Sequence, residues 1–437
     1  MADAAAQNSP YQPLRAPRGA ALSCKGWPQE AVLRMLTNSL DPDVTELPQE
    51  LLAKIKPDEP MPDRGTLEGI IAAIRALDCD ETLIVRDGKP DGVVRTRADA
   101  PRVVAMDSHP ALWDYIGPQG LLPAAHEFLA AAGRKYFAGD LTGKLIANCG
   151  MGPAGGALSL AAIMNGAAFL GVDADAEQIK RRVKTGYCDV MVSELNEALR
   201  ILKNAVRKRE PASVGLVADP VRLLSEMANR GVVPDLLVRT EFPAGESGAQ
   251  AAQTLESLGT VVIADADAAY RASGREDGAA MRCIALSGEL SDVQRIDKIL
   301  LEVFPADEDL NRFLRIVQRR VRQQGLPARA CWLDAGEQRK LGAALDEAVA
   351  SGELRAPVVI VRDDAFGIAA GLVSRDGTTA GEKSFPLSKP GELDDLLKES
   401  RGSAWIAVDE NGPLPRIAAS AIVADGMRSS SVEHAFD

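Results

Sequence analysis

Hydrophobic and polar positions follow two different patterns along the chain. Between residues 82 and 105, short β-branched runs are separated by Asp-Gly and Pro-Asp-Gly turns, a pattern that predicts antiparallel strands. From residue 143 to 265, short apolar runs alternate with helical stretches, as in buried parallel strands joined by crossover helices. These apolar runs begin at Lys144, Ala168, Ser213, Asp235 and Thr260. The middle of the chain is therefore predicted to form a doubly wound parallel sheet.

The flanking regions carry both helical and strand patterns. Apolar spacing is helical over residues 27 to 40, and residues 293 to 324 form a helix-rich stretch. Further strands are predicted at 328 to 333 and at 356 to 361. The chain thus returns to α+β character after the central region.

These patterns predict three structural regions. Residues 1–20 are small, polar and proline-containing, which predicts a flexible tail. Residues 21–140 and 325–437 are expected to form one discontinuous α+β domain. Residues 141–324 are expected to form a Rossmann-like dinucleotide-binding domain inserted in it.

Composition and charge exclude several classes of protein. The chain has 437 residues, of which 46% are hydrophobic, so it can bury substantial cores. A formal net charge of −12 opposes attraction to phosphate backbones, and nucleic acid is not an expected partner. No apolar run reaches the roughly 18 residues that a membrane span needs, and residues 1 to 17 do not resemble a signal peptide. We expect a cytoplasmic protein without a membrane partner.

The cysteines and histidines do not form a metal-binding pattern. The sequence has six cysteines without a Cys-x-x-Cys pair, and only three histidines. Reduced thiols and no metal site are predicted. The basic run Lys180-Arg-Arg-Val-Lys and the arginine-rich stretch from residue 312 to 322 are predicted to be solvated helix faces.

A glycine-rich run follows the strand that ends near Asn148. Gly150-Met-Gly-Pro-Ala-Gly-Gly-Ala precedes an apolar helix at 159 to 165, and the next strand ends at Asp173. In dinucleotide-binding units of this order, backbone N–H groups hold pyrophosphate and the acid binds ribose hydroxyls. The spacing Gly150-x-Gly152-x-x-Gly155 fits, although Pro153 removes one N–H donor. Because glycine turns also allow close helix packing, the motif leaves both a structural and a cofactor-binding interpretation open.

Longer segments of the sequence resemble the urocanase (urocanate hydratase) family and occur in the family's order. They include Arg18-Gly-Ala-Ala-Leu-Ser-Cys-Lys-Gly-Trp-Pro, Asp80-Glu-Thr-Leu-Ile-Val-Arg-Asp-Gly-Lys-Pro, Tyr115-Ile-Gly-Pro-Gln-Gly, Gln324-Gly-Leu-Pro-Ala-Arg-Ala-Cys-Trp and Ser351-Gly-Glu-Leu-Arg-Ala-Pro. The resemblance covers most of residues 18 to 425 and implies a urocanase-like fold.

The resemblance also implies a reaction and a set of site residues. Urocanases hold NAD tightly and use its nicotinamide as an electrophile while water adds to urocanate. A hydro-lyase acting on a urocanate-like heteroaromatic acrylate, in histidine metabolism and as a homodimer, is thus implied. Cys331 matches the family's active-site cysteine, Asp363 lies near its acidic catalytic segment, and Arg282 remains from its substrate-binding arginine stretch. The implied NAD contacts are Gly150, Gly152, Ala154, Gly155, Gly156 and Asp173.

The sequence departs from the family at several ligand contacts. A Tyr-Gly-Gly segment expected after Val44 is absent, and an expected Gln-Thr-Ser-Ala-His run is replaced by Thr240-Glu-Phe-Pro-Ala. A tyrosine-bearing insertion is missing before Thr260, and the stretch Arg-Gly-Ile-Gly-Pro-Phe-Arg-Trp is reduced to Arg282-Cys-Ile. The losses concern cofactor and substrate contacts more than the core.

Three functional hypotheses follow. The first is the NAD-dependent hydro-lyase. The second is a non-catalytic or repurposed urocanase scaffold that binds a partner protein, which the lost contacts favour. The third is a lyase or isomerase that uses Cys331 without NAD. Two of the site residues also have a purely structural interpretation. Cys331 is also typical of a small buried hydrophobic residue, and Asp173 is also typical of a helix cap.

Overall fold

The computed structural model describes residues 14–45, 64–86, 88–106, 113, 115–239, 246–263, 279–363, 403–409 and 416–423. The helices in these ranges are α1 (Trp27–Ser39), α2 (Arg64–Ala76), α3 (Pro118–Tyr136), α4 (Pro153–Met164), α5 (Ala176–Thr185), α6 (Leu195–Lys208), α7 (Pro220–Asn229), α8 (Glu246–Ser257), α9 (Leu290–Val303), α10 (Glu308–Arg320) and α11 (Ala335–Ala350). The strands are β1 (Glu81–Arg86), β2 (Lys89–Arg95), β3 (Val103–Met106), β4 (Leu145–Cys149), β5 (Ala168–Asp173), β6 (Val190–Val192), β7 (Ala212–Val217), β8 (Leu236–Arg239), β9 (Val261–Ile263), β10 (Ala279–Ala285), β11 (Ala328–Leu333), β12 (Val358–Asp363), β13 (Ser403–Asp409) and β14 (Arg416–Val423).

Six strands from the middle of the chain form an all-parallel sheet in the order β6-β7-β5-β4-β8-β9. Ile146 and Phe169 belong to the core that includes α4 and α5, whereas Leu170 and Leu237 belong to cores that include α6, α7 and α8. Helices therefore cover both faces, and the predicted doubly wound parallel sheet is confirmed. The strand order reverses between β4 and β8, which makes this pair the topological switch point.

Local capping signals define where several helices begin and end. The carboxylates of Asp175, Asp219 and Asp307 accept backbone N–H bonds at the N-termini of α5, α7 and α10. Asp334 and Glu337 form a capping box at the start of α11. Such caps satisfy backbone donors that have no partner inside the helix.

The second sheet has eight strands in the order β11-β10-β12-β14-β13-β3-β1-β2. β1 and β2 form the predicted antiparallel pair, but β3 pairs with β1 in parallel, so the prediction of antiparallel strands was wrong for β3. After β2 the chain crosses back over residues 96–102, so that β3 enters the sheet on the other side of β1 and in the same direction. A crossover of this kind leaves no turn signature in the sequence.

The chain leaves the eight-stranded sheet after β3 and returns to it at β10. The predicted domain boundaries at 140/141 and 324/325 stay a prediction, and β10 lies between them while pairing with β11 and β12. Residues 1–13 of the predicted tail lie outside the described residues. Gly19, in its last part, donates its N–H to the carbonyl of Ser287 at 2.6 Å.

Helix α3 joins the two sheets, because it packs on α4 and also on β10 and β11. A single buried core contains Ile146 and Leu236 of the six-stranded sheet together with Cys283 and Ile360 of the eight-stranded one. The candidate site residues are therefore held in one continuous packed structure. None of the helices within the described ranges has the length and apolar content required to cross a membrane.

Candidate functional site

The glycine turn connects β4 to α4. Gly150 has φ of +92°, a left-handed conformation that favours glycine, and its N–H donates to Val172 on β5 at 2.8 Å. The amide of Asn148 donates to the carbonyl of Gly150 at 2.7 Å. Gly152 is the N-cap of α4, which begins with Pro153. The turn is thus fixed by its own backbone directly above the end of β4.

Two glycines of the motif are required by packing inside the turn. A Cβ atom on Gly155 would overlap the carbonyl oxygen of Gly150 and lie 3.1 Å from the amide of Asn148. A Cβ atom on Gly156 would overlap the side chain of Arg182, which reaches across from α5. Close packing therefore explains why both positions are glycine. The same packing fixes where α4 begins, so it is compatible with a cofactor bound at the first turn of that helix.

Asp173 lies beside the glycine turn at the end of β5. One carboxylate oxygen accepts the N–H of Met151 at 2.7 Å, and the other accepts the N–H of Asp175 at 2.8 Å. Asp175, and not Asp173, caps α5 through the N–H of Glu177. Asp173 is half-buried and lies at the carboxyl edge of the sheet. This is the place at which Rossmann-like units bind a ribose.

A dinucleotide fits the residues that surround the turn. Ala154 is partly exposed in the first turn of α4, where backbone N–H groups and the helix dipole attract phosphate. Each carboxylate oxygen of Asp173 uses one of its two acceptor positions, which leaves capacity for ribose hydroxyls. Pro153 contributes no N–H, because proline has no backbone hydrogen to donate. Phosphate and ribose contacts can thus both be made by residues present here.

Arg182 is a buried part of this region that the sequence pattern did not reveal. The basic run at 180–184 was predicted to be solvated, which was wrong for Arg182, because its side chain is fully buried and its Nε donates to the carbonyl of Met151 at 2.9 Å. The neighbouring Arg181 donates to the carbonyls of Pro42 at 3.0 Å and Asp43 at 2.6 Å. Helix α5 therefore links the glycine turn to the N-terminal segment. Helical spacing from Ile179, three residues earlier, is the signal that places Arg182 on the buried side.

Cys331 lies in the middle of β11 and is completely buried. Burial raises the pKa of its thiol to about 12, so the sulfur carries a proton at neutral pH. It pairs with Met281 of β10, and both belong to the main apolar core. This environment is that of a small buried hydrophobic residue.

Arg282 lies on the neighbouring strand, β10, and is 9% exposed. It pairs with Ala330 on one side and with Val361 on the other. Its Cδ lies 3.5 Å from the position that a Cβ atom on Gly120 would occupy, so the side chain rests against the first turn of α3. Arg282 thus occupies the junction between the eight-stranded sheet and α3.

The register of β10 and β11 separates Cys331 from Arg282. Directly paired residues place their side chains on the same face, and successive residues alternate between faces. Since Arg282 pairs with Ala330, it lies on the face opposite to Cys331. Arg329, two residues before Cys331, shares the latter's face and forms an ion pair with Asp297 of α9 at 2.5 Å. The structure does not bring Cys331 and Arg282 together.

The other predicted positions add less to the site. Asp363 ends β12, where it pairs with Ala280 of β10. The segment Thr240-Glu-Phe-Pro-Ala lies outside the described residues. The cysteines are free thiols, and no cluster of three or more potential metal ligands occurs in the part of the chain that the structure describes.

A cleft of about 510 Å³ lies elsewhere on the surface, at the other end of α4. Its walls include His126 and Trp332, whose rings are 6.0 Å apart, together with Asn165, which follows α4 directly. Helix α4 has 12 residues, or about 18 Å, so this cleft is remote from the glycine turn.

Sequence models of one protein family match nearly the whole chain. The urocanase N-terminal domain matches residues 14–111, the urocanase Rossmann-like domain matches residues 117–241, and the urocanase C-terminal domain matches residues 276–431. The glycine turn, Asp173 and five of the six parallel strands, β4 to β8, fall within the Rossmann-like match, while Arg282 and Cys331 fall within the C-terminal one. With all three domains present in order on a matching fold, the chain belongs to the urocanase family.

Proposed function

We propose that the chain is a urocanase-like hydro-lyase that adds water to a urocanate-like heteroaromatic acrylate, with NAD held at the glycine turn. The observation that carries this proposal is the position of Asp173 beside the turn, at the carboxyl edge of an all-parallel sheet. That edge is where doubly wound folds bind their ligands, next to the point at which strand order reverses. The urocanase Rossmann-like match over the same residues supports it.

The proposal gives each part of the turn a binding role. The first-turn N–H groups of α4 at Ala154 and Gly155 would hold pyrophosphate oxygens, and Asp173 would accept ribose hydroxyls. Gly150 and Gly152 shape the turn, and Gly156 admits the Arg182 side chain, which fixes the position of the Met151 carbonyl. When bound, the nicotinamide supplies an electrophile that draws electron density from the heteroaromatic ring.

The substrate would be a small molecule bound against the eight-stranded sheet, in a cytoplasmic homodimer. Arg282, on β10 against the first turn of α3, would place a guanidinium near an acidic substrate, and Asp363 would handle a proton of the added water. Cys331 would act as a neutral thiol, because burial raises its pKa to about 12.

The first experiment is to denature the purified protein and quantify released NAD against protein. The proposal expects one NAD per chain, or stoichiometric uptake of added NAD. Asp173→Asn keeps an acceptor for the Met151 N–H but removes the charge, and it should weaken NAD binding by about 1.5–3 kcal/mol. Asp175→Asn is the matched control, since asparagine also caps helices well. A protein that neither releases nor takes up NAD would rule out the proposed reaction.

A second candidate is a non-catalytic or repurposed urocanase scaffold that binds a partner protein. The complete burial of Cys331, on the face opposite to Arg282, favours it. Uptake of added NAD and loss of urocanate absorbance on incubation with the protein separate the two candidates. Turnover supports the hydro-lyase, and a protein that takes up no NAD and leaves urocanate unchanged supports the repurposed scaffold, which has lost NAD and substrate contacts.

A further inference from the structure

The cleft at the far end of α4 has the size of a small-molecule site. Its volume of about 510 Å³ lies within the range of about 300–1,000 Å³ that ligand pockets occupy. Besides the short connection at 139–142, its walls come from α3, α4, α10 and β11. These four elements also contribute to the main buried core, so packing in the interior fixes the shape of the cleft.

Three aromatic rings meet at one wall of the cleft. The centroid of the Trp332 ring lies 6.0 Å from that of His126 and 6.0 Å from that of Phe313. Phe313 is buried, whereas His126 and Trp332 are half-buried. Aromatic rings, and tryptophan above all, attract organic cations through the negative charge of their π faces. This wall therefore favours a ligand that combines apolar surface with a positive charge.

Glu127 supplies a nearly buried carboxylate to the same cleft. Its side chain is 12% exposed, and its Oε1 accepts a hydrogen bond from the Arg134 guanidinium at 2.6 Å. Its Oε2 accepts no hydrogen bond from the described residues, and this atom is not enclosed by protein. A carboxylate oxygen that is largely shielded from bulk water gains free energy from a donor that reaches it. The open oxygen of Glu127 therefore suits a ligand that donates hydrogen bonds.

Two further side chains present hydrogen-bond acceptors to the cleft. The amide nitrogen of Asn165 donates to the carbonyls of His126 at 3.2 Å and Ala161 at 2.9 Å, so its Oδ1 points away from both. Asp307 accepts a backbone N–H of α10 with Oδ1 at 2.9 Å, and its Oδ2 has no hydrogen bond to the described part of the chain. Both groups can accept bonds from an ammonium ion.

The cleft also carries an excess of negative charge. Its described walls contain four carboxylates and two guanidinium groups, which belong to Glu127, Asp140, Asp307 and Asp309 and to Arg134 and Arg312. Even with Asp140 paired to Arg209, carboxylates outnumber guanidinium groups. Arg312 donates to the carbonyl of Met164 at 3.0 Å, at the C-terminal end of α4. Because that helix end carries a partial negative charge, it adds to the attraction for a cation.

We propose that this cleft binds a small organic ammonium ion that carries an aromatic ring. The ammonium N–H groups would donate to Glu127, Asn165 and Asp307, and the ring would lie against His126 and Trp332. Because the cleft and the glycine turn lie at opposite ends of α4, this binding does not depend on NAD or on the proposed function.

The test compares three probes that differ mainly in charge. The probe is 2-phenylethylamine, which is an ammonium ion at neutral pH, and 2-phenylethanol and 3-phenylpropionate are its uncharged and anionic counterparts. Calorimetry on the full chain without NAD measures the three dissociation constants. The variants are Glu127→Gln, Trp332→Leu and, as the control, Glu226→Gln, since Glu226 also pairs with an arginine but is exposed on α7. Circular dichroism checks that each variant is folded.

The unaltered protein should bind the amine at least tenfold more tightly than the alcohol or the acid. Glu127→Gln should weaken binding of the amine by about ten- to a hundredfold, because it removes a charged acceptor, and should leave the affinity for the alcohol unchanged. Trp332→Leu should weaken binding of the amine by about two- to tenfold. Glu226→Gln should bind all three probes like the unaltered protein.

Three results would overturn the inference. The first is an unaltered protein that binds none of the probes, and the second is one that binds the alcohol or the acid as tightly as the amine. The third is an unchanged affinity of folded Glu127→Gln for the amine. If Glu127→Gln does not fold, the three probes on the unaltered protein and the loss of amine affinity in Trp332→Leu decide the question.

Discussion

Gly155 shows how one residue can define the glycine turn. A side chain there would meet the backbone carbonyl of Gly150, which cannot move without displacing the end of β4. We expect Gly155→Ala to lower the free energy of unfolding by about 1–3 kcal/mol and to abolish NAD binding. Gly92→Ala is the control, because a Cβ atom there meets nothing within 4 Å. Chemical denaturation measures both variants, and equal stability of the two would contradict the packing role.

The buried thiol of Cys331 makes the free energy of unfolding fall as the pH rises above 9. Its pKa is raised by burial from an ordinary value of 9.0 to about 12 in the folded protein. Above pH 9 the unfolded chain loses this proton while the folded chain keeps it, so the stabilising contribution falls progressively as pH rises towards 12.

We expect Cys331→Ala to reduce the fall in unfolding free energy between pH 9 and 11 by about 1.4 kcal/mol per pH unit. The measurement is urea unfolding at several pH values, and the value at pH 7 for the same variant corrects for lost packing. An unchanged pH dependence would show that the Cys331 thiol is accessible to solvent, which would support its role as a nucleophile.

Helix α1 contains an ion pair that anchors the helix to distant segments. Arg34 and Glu30 are both completely buried and lie 2.8 Å apart. Arg34 also donates to the carbonyl of Ala21 at 2.8 Å, and it donates to that of Leu286. Burial by itself would raise the pKa of Glu30, but its bonds with Arg34 and Ser23 outweigh burial and leave the pKa below the ordinary value. This stabilisation is present above about pH 4.5 and is lost as pH falls through the lowered pKa.

We expect Glu30→Ala to cost about 3–5 kcal/mol, because it leaves a buried guanidinium without its carboxylate. Glu226→Ala is the matched control, since Glu226 and Arg230 form a pair with the same helical spacing but are exposed. That change should cost under about 0.5 kcal/mol. Thermal and urea unfolding measure the stability of both variants. Equally small losses of stability would mean that burial does not strengthen the pair of Glu30 and Arg34.

The elements also show what local patterns can and cannot predict. The short apolar runs of the central region predicted the parallel sheet, since strands buried on both faces must be apolar throughout. The direction of β3 was mispredicted, because the crossover before it is set by pairing with β1 and with β13, some 300 residues later. The burial of Arg182 was missed, because a basic run on a helix does not reveal which of its members faces a neighbouring turn.

At the scale of the whole molecule, the two sheets share one core through α3. Leu236 of the six-stranded sheet and Ile360 of the eight-stranded sheet belong to the same buried cluster. We expect thermal unfolding in a single cooperative transition, because neither sheet can lose its packing without exposing apolar surface of the other. Scanning calorimetry with near-ultraviolet circular dichroism tests this, and two separated transitions would show that the sheets unfold independently.

The sequence by itself determined the family, because segments in the family's order occur along most of the chain. It also determined the fold class and the location of the glycine turn, because these depend on the local spacing of glycines, apolar residues and an acid. Only the tertiary structure decided that Cys331 and Arg282 lie on opposite faces. The physical reason is strand register. A shift of one residue between paired strands would reverse every face assignment, and contacts between distant parts of the chain fix that register.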